Sequence, residues 1–141
     1  MKLPNFTGPV VIPIDFSPVC LETLKPALAE ASWPEVHVIH VARSDALDWE
    51  PGTAIADAGA ASGTAAKWLA DWVPNLPVQP AASVVRFGDA GREVIQYAAE
   101  IDADAIIVPS RGRTGLEALR IGSVAERIIR LADRSVLVLN S

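Results

Sequence analysis

The sequence predicts an α/β fold, a single doubly wound sandwich in which about four helices cover a five-stranded parallel sheet. Short and nearly continuous apolar runs alternate along the chain with longer segments whose apolar residues recur at helical spacing. Such runs are typical of strands that are buried on both faces of a parallel sheet. The 141 residues contain no internal repeat or linker-like tract, so we expect one domain over residues 1–141.

The elements can be assigned in order from these runs and from the residues that begin helices. The predicted strands cover residues 9–15, 35–42, 82–87, 104–108 and 135–140. Ser17 followed by Pro18 predicts the start of a helix that ends near residues 33–34, because serine caps helices and proline favours the first helical position. An alanine-rich segment predicts a helix over 56–73, and Asp89 and Ser123 mark the starts of two more.

Composition and charge exclude several classes of protein. The net charge of −5 argues against sequence-independent binding to nucleic acid or to anionic lipid. No apolar run approaches the roughly 18 residues that span a bilayer, and polar residues interrupt the N-terminus where a signal peptide would be apolar. Cys20 is the single cysteine, so an internal disulfide is impossible, and we expect a cytoplasmic protein with Cys20 buried as an apolar residue.

Positive charge is concentrated in one segment. Residues 109–134 hold six arginines against three carboxylates, a local charge of +3, whereas the rest of the chain carries −8. This pattern favours a small anionic ligand over a long polyanion.

The same segment is rich in glycine. Ser123 and Glu126 form a capping-box pattern at the start of the last helix, directly after Gly122. A helix N-terminus offers free N–H groups and partial positive charge, and a glycine lets an anion approach the backbone. The loop ahead of it contains two more glycines and two arginines suited to phosphate contact: Gly112, Gly115, Arg111 and Arg113. Together these residues predict a binding site for a polyphosphate. In the alternative interpretation, the glycines only turn the chain and the arginines only face solvent.

These residues resemble those of the universal stress protein family. Its nucleotide-binding members carry Gly-x-x-Gly-x9-Gly-(Ser/Thr) after the fourth strand, and Gly112, nine residues and Gly122-Ser123 match the last three elements. The wording RTG…GSVAERIIR is also typical of the family, as are VVIPIDFS in the first strand and HVIHVA in the second. The resemblance covers nearly the whole chain, is weakest over residues 43–80, and implies an adenine nucleotide alpha hydrolase-like fold.

The resemblance implies a ligand and its contacts. In relatives that bind ATP, the aspartate ending the first strand and the backbone at the end of the second hold the adenosine, and these positions correspond to Asp15 and Val41. Ser123 would contact a phosphate, with Mg²⁺ or Mn²⁺ as an accompanying ion. The implied ligand is ATP, ADP or AMP. The alternative for Asp15 is a turn-forming role before the first helix.

Pro109 departs from the family pattern because it stands where the first glycine of the motif would fall. Proline has no N–H to donate to a phosphate. One charge-assisted hydrogen bond is worth roughly 1.5–3 kcal/mol, or about 10- to 150-fold in affinity. We therefore expect weakened or altered nucleotide binding.

Three other features lead to expectations about packing and assembly. His37 and His40 are three residues apart in a strand, so they should point to opposite faces and not form a metal pair. Core packing is expected for Trp68 and Trp72, with a partner surface as the alternative. The last strand, residues 135–140, would leave open hydrogen bonds if it lies at the sheet edge, and relatives commonly form homodimers through it.

The function predicted first is a small stress-response protein that binds an adenine nucleotide as a sensor or regulator, with at most slow ATP hydrolysis. The second is a homodimeric interaction module of the same fold that binds no nucleotide, with Pro109 marking a lost site. The third is a true ATPase or a nucleotidyl-transfer enzyme that uses Asp15 or Asp89 near the phosphates.

Overall fold

The computed structural model describes residues 3–42, 58–110 and 123–140. Within them, five parallel strands form one sheet in the order β3-β2-β1-β4-β5. The strands are β1 (Pro9–Pro13), β2 (Glu35–Ala42), β3 (Ala82–Phe87), β4 (Ala105–Pro109) and β5 (Ser135–Leu139). The helices are α1 (Pro18–Glu30), α2 (Ala58–Trp72), α3 (Ala90–Glu100) and α4 (Ser123–Leu131), and a short 3-10 helix at Val73–Asn75 follows α2.

The predicted fold class is confirmed, and most element bounds agree with the prediction to within two residues. Two elements are shorter than predicted. The first strand ends at Pro13, two residues early, and the chain then turns through Phe16, whose φ is 64°. The first helix ends at Glu30, where Ala31 takes an extended conformation and closes the last turn with its N–H. No described helix is long and apolar enough to cross a membrane.

Alternate residues of the strands build two apolar cores, one on each face of the sheet. Val10, Ile12 and Val38 point to the face that α1 and α2 cover, where Leu24, Leu28 and other apolar residues pack. Val11, Ile39 and Ile106 point to the opposite face, with residues of α3 and α4. The strands are therefore buried on both sides, as the continuous apolar runs predicted.

The two histidines of β2 lie on opposite faces, as predicted. His37 is buried on the α3 side, where its Nδ1 lies 2.7 Å from the Tyr97 hydroxyl and its Nε2 lies 2.8 Å from a Glu35 carboxylate oxygen. On the other face, His40 has its Nδ1 2.9 Å from the Ile14 carbonyl and its ring 4.3 Å from that of Phe16.

The two tryptophans of α2 differ in burial. Trp72 is only 8% exposed and belongs to the core, as predicted. Trp68 is 57% exposed, so the expectation of core packing was wrong for this residue. The two are four positions apart on one helical stripe, but the sheet side of α2 is filled by Ala65, Leu69 and Trp72, and Trp68 stands at the margin of that stripe.

The strand order reverses between β1 and β4, because β2 and β3 continue on one side of β1 while β4 and β5 continue on the other. We call the edge at which the strands end their carboxyl edge. In a doubly wound sheet, the connecting helices run back against the strands, so their N-termini lie at this edge. Ligands of such sheets bind there, at the point where the order reverses.

Candidate functional site

Four of the predicted site residues are described, and the topology brings all four to the carboxyl edge. Val41 lies near the end of β2, Asp15 follows β1, and Pro109 ends β4, so they come from three neighbouring strands. Ser123 is the first residue of α4. The other five predicted residues lie outside the described residues: Arg111, Gly112, Arg113, Gly115 and Gly122.

Asp15 forms the turn that joins β1 to α1. Its Oδ1 accepts a hydrogen bond of 2.9 Å from the Ser17 N–H, and Phe16 between them takes a left-handed conformation with φ of 64°. A left-handed conformation is costly for a non-glycine residue, so the surrounding contacts must hold it in place. Ser17 then caps α1, its Oγ accepting from the Cys20 N–H at 3.1 Å. The turn-forming role of Asp15 is thus present, and its part-buried carboxylate lies at the strand exit.

Cys20 lies on the first turn of α1 and is 2% exposed, so the predicted burial is confirmed. Burial raises the pKa of its thiol to about 12. A thiolate is the reactive form of cysteine, so this thiol is unsuited to act as a nucleophile at the site.

The end of β2 is fixed by its neighbour β3. Val41 is half-buried and pairs with Arg86, and the Ala42 carbonyl accepts a 3.0 Å hydrogen bond from the Gly88 N–H. Gly88 has φ of 133°, a conformation that side chains rarely tolerate, and this lets the chain leave β3 beside β2. The backbone around Val41 is therefore held firmly on the β3 side.

Pro109 ends β4 beside Leu139 of β5. The next residue, Ser110, is 2% exposed and ties the strand exit to β5. Its N–H donates to the Leu139 carbonyl at 2.8 Å and its hydroxyl donates to the Asn140 Oδ1 at 2.5 Å. Sequence reasoning missed Ser110 as a residue that positions the loop, because nothing local to residue 110 indicates a partner 30 residues away.

The last helix starts at Ser123, as predicted. The Glu126 carboxylate, the second member of the predicted capping-box pattern, pairs with Arg130 one turn further on. Ser123 is exposed and stands in the first turn of α4, where helical bonding leaves N–H groups without a partner.

Asp89, the other carboxylate considered as a catalytic group, is engaged at the start of α3. Its Oδ2 accepts from the Arg92 N–H at 3.0 Å and from the Arg127 Nε at 2.9 Å. The Arg92 N–H, and then the charge of Arg127, lower the pKa of Asp89 below its usual value. The Asp89 carboxylate is thus engaged in capping α3 and in an ion pair with Arg127.

The strand order, the two-sided burial and the convergence of β1, β2, β4 and α4 at one edge define a class of doubly wound α/β domains whose ligand site lies at the reversal of strand order. Within this class, residues 7–140 match the model of the Usp, or universal stress protein, family. The chain belongs to the universal stress protein family.

Two relatives illustrate the likeness in sequence. The chain is 30% identical to universal stress protein MJ0531 of Methanocaldococcus jannaschii, over 95% of this chain and 82% of that protein. It is 35% identical to universal stress protein Rv2005c of Mycobacterium tuberculosis, over 93% of this chain but only 45% of that protein. The chain therefore spans less than half the length of the mycobacterial relative.

Solved structures show the same fold. Hypothetical protein PH0823 superposes with a TM-score of 0.74 at 23% identity, covering 93% of each chain. The universal stress protein of Archaeoglobus fulgidus in complex with dAMP gives a TM-score of 0.57 at 22% identity, covering 94% of this chain and 97% of that one. A universal stress protein in complex with cAMP gives 0.61 at 18% identity, covering 93% and 95%. At these identities the superpositions establish the fold alone.

Proposed function

We propose that this protein binds an adenine nucleotide, ATP, ADP or AMP, at its carboxyl edge and acts in the cytoplasm as a sensor or regulator. The observation that carries the proposal is the convergence of Asp15, Val41 and Ser123 from β1, β2 and α4 on the point where the strand order reverses. Two structural neighbours that hold dAMP and cAMP support the choice of ligand.

In this proposal, the adenosine lies over the ends of β1 and β2. The Asp15 carboxylate, already oriented by the Ser17 N–H, would accept from a ribose hydroxyl, since a carboxylate has more lone pairs than that one contact uses. The Val41 backbone would contact the base. Its side chain packs against the core on the α3 and α4 face, so only the backbone would be available.

The phosphates would lie at the start of α4. Ser123 offers its N–H and hydroxyl there, and Gly122 directly before it has no side chain to obstruct them. Arg111 and Arg113 would neutralise phosphate charge, and the glycines Gly112 and Gly115 would let the loop wrap around the phosphates. An accompanying Mg²⁺ or Mn²⁺ near Ser123 would neutralise further phosphate charge. Pro109 removes one donor from this arrangement, so we expect weaker binding than in relatives with glycine there.

We expect at most slow hydrolysis. Of the two carboxylates considered as a base, Asp89 is bound to Arg92 and Arg127, and one oxygen of Asp15 is bound in the turn. Any phosphate release would come from polarisation by the loop and its metal ion. An ATPase that turns over steadily, and that Asp15→Asn inactivates, would contradict a sensor role and support an enzyme.

A homodimer through the last strand is expected in either case, and the second candidate is such a dimer that binds no nucleotide, with Pro109 marking a lost site. The last strand, β5, lies at the edge of the sheet and its residues 136–138 are only partly buried. An open edge strand invites pairing with another chain, so two copies could join through residues 135–140.

A titration with a fluorescent ATP analogue separates the two candidates. We expect a saturable signal that unlabelled ATP competes away and GTP displaces less well, and mass spectrometry should identify an adenine nucleotide carried over from the expression host. If neither the titration nor the purified protein yields nucleotide while sedimentation gives a dimer, the proposed site is lost and the second candidate stands.

A further inference from the structure

Three aromatic side chains form an open box beside the turn after β1. Phe16 comes from that turn, and Trp68 and Trp72 come from the last turns of α2. The three rings line a surface groove of about 240 Å³ together with Asp71 and Asn75. We call this group, Phe16, Trp68 and Trp72, the aromatic box.

The planes of the three rings lie at steep angles to one another. The Phe16 and Trp68 centroids are 6.2 Å apart with planes at 81°, and the Phe16 and Trp72 centroids are 6.3 Å apart with planes at 72°. Each indole thus packs against Phe16 at nearly a right angle, an arrangement that aromatic pairs favour. Of the three rings that line the groove, Trp68 is the most exposed, Phe16 is part-buried and Trp72 is buried, so the accessible π-surface comes chiefly from Trp68 and Phe16.

The aromatic box is held in place by the backbone turn around Phe16 and by the packing of Trp72 in the core. Phe16 is fixed by its left-handed conformation between the Asp15 turn and the Ser17 cap, and its ring stacks on His40 at 4.3 Å. Trp72 is anchored in the core, whereas Trp68 leaves 57% of its surface in water. A preformed site loses little conformational entropy when a ligand binds.

The polar groups of the groove favour a cation. Asp71 is exposed and adds a negative charge at the rim. The Asn75 amide nitrogen donates to the Asp71 and Trp72 carbonyls at 3.4 and 3.1 Å, so those N–H groups are turned to the helix backbone. Lys67, one turn before Asp71, is the nearby basic residue on α2 that could compete for that carboxylate.

We propose that the aromatic box binds the quaternary ammonium head of a small organic cation. Such a head has no N–H to donate, and it is attracted by the negative faces of indole and phenyl rings within about 6 Å. The ring faces, the carboxylate at the rim and the size of the groove match that chemistry. Phe16 lies next to Asp15 of the proposed nucleotide site, but Trp68 and Asp71, the residues that the test changes, are not among the residues proposed to bind nucleotide.

The test uses choline and its uncharged isostere 3,3-dimethylbutanol at matched ionic strength, followed by the indole N–H resonances in nitrogen-15 spectra of the whole protein. We expect choline to give saturable shifts in the millimolar range and the neutral alcohol to give none or much weaker ones. Trp68→Ala should weaken choline binding roughly 5- to 30-fold, because it removes one wall. Asp71→Asn should weaken it about 2- to 5-fold.

Leu131→Ala is the matched control, because Leu131 is a similarly exposed apolar residue on the opposite face of the sheet. Trp68 is largely exposed, so its removal should leave the fold intact, which the rest of the spectrum checks directly.

Equal binding of choline and the alcohol would overturn the proposal in favour of a general apolar groove. Absence of saturable shifts, or unchanged affinity in Trp68→Ala, would overturn it outright. A fluorescent ATP titration of Trp68→Ala should match the wild type, so a failure here is distinct from a failure of the nucleotide site.

Discussion

The starts of α1 and α3 differ from the start of α4, although the topology brings all three to the carboxyl edge. At α1, the Ser17 hydroxyl accepts from the Cys20 N–H, and at α3 the Asp89 carboxylate accepts from the Arg92 N–H. In both helices, the side chain of the capping residue thus accepts a hydrogen bond from a free N–H at the positively charged N-terminus. The residue ahead of α4 is Gly122, which has no side chain to offer.

The difference shows that the free N–H groups and partial positive charge of a helix N-terminus can serve either folding or ligand binding. A cap satisfies one of the N–H groups that a helix leaves open and stabilises it by about 1 kcal/mol, but it occupies the position that an external anion would take. A glycine gives up little of that stability, only a few tenths of a kcal/mol, and leaves the position open. Of these three helix starts, two are closed by a side chain of their own and the third, that of α4, follows a glycine.

The largest expected effect comes from giving α4 the cap that α3 has. In Gly122→Asp, the new carboxylate should bind the first N–H groups of α4 and repel phosphate, so the affinity for the fluorescent ATP analogue should fall by more than about 100-fold. The free energy of unfolding should stay the same or rise by a few tenths of a kcal/mol. Equilibrium unfolding in urea and the nucleotide titration measure the two effects on one protein sample.

Gly122→Asn separates charge from obstruction, because asparagine caps a helix about as well as aspartate without carrying charge. We expect Asn to weaken nucleotide binding less than Asp does. If Gly122→Asp binds nucleotide as the wild type does, the start of α4 is not the phosphate site.

The next effect concerns Pro109, which removes a donor at the same edge. Pro109→Gly and Pro109→Ala both restore an N–H, so each should tighten nucleotide binding, by roughly 10- to 150-fold if that N–H donates to a phosphate. The Ser110 contacts to Leu139 and Asn140 should keep β4 in register in both variants. A gain in Pro109→Gly alone would attribute the effect to chain flexibility, and no gain in either would refute the account of Pro109.

Much of the fold could be predicted from the sequence because local signals dominate it. The bounds of β2 and β3 follow from apolar runs, and the starts of α1 and α3 follow from Ser17 and Asp89, which act within three residues of themselves. The exit of β1 was less predictable. Phe16 takes a left-handed conformation that its residue type disfavours, and contacts distant in sequence stabilise it there.

The parts of the site that were missed depend on contacts between distant segments. Ser110 meets Asn140 across two strands, and the aromatic box joins Phe16 to α2 over about 50 residues of chain. The start of α4 at Ser123 was predicted, but the pairing of Glu126 with Arg130 was not, because the motif does not decide which of two neighbouring partners a carboxylate contacts. The predicted residues of the glycine loop lie outside the described residues, and their roles stay predictions.

The smallest expected effect tests the closed end of α3. Asp89→Ala removes the cap and the Arg127 pair, so the free energy of unfolding should fall by about 1–2 kcal/mol while nucleotide affinity stays unchanged. The Arg92 N–H and Arg127 depress the pKa of Asp89 in the folded protein, so its contribution is present above the ordinary aspartate pKa and is lost as the pH falls through the folded value. Urea unfolding should therefore show a gap between wild type and Asp89→Ala that is full near neutral pH and closes in strong acid. Asp89→Asn keeps a capping oxygen without the charge, so it should lose less stability than Asp89→Ala at neutral pH. Its smaller gap to the wild type comes from the carboxylate charge, so that gap should also close as the pH falls. A gap that is the same in acid as at neutral pH would mean that the carboxylate charge contributes nothing to this helix start.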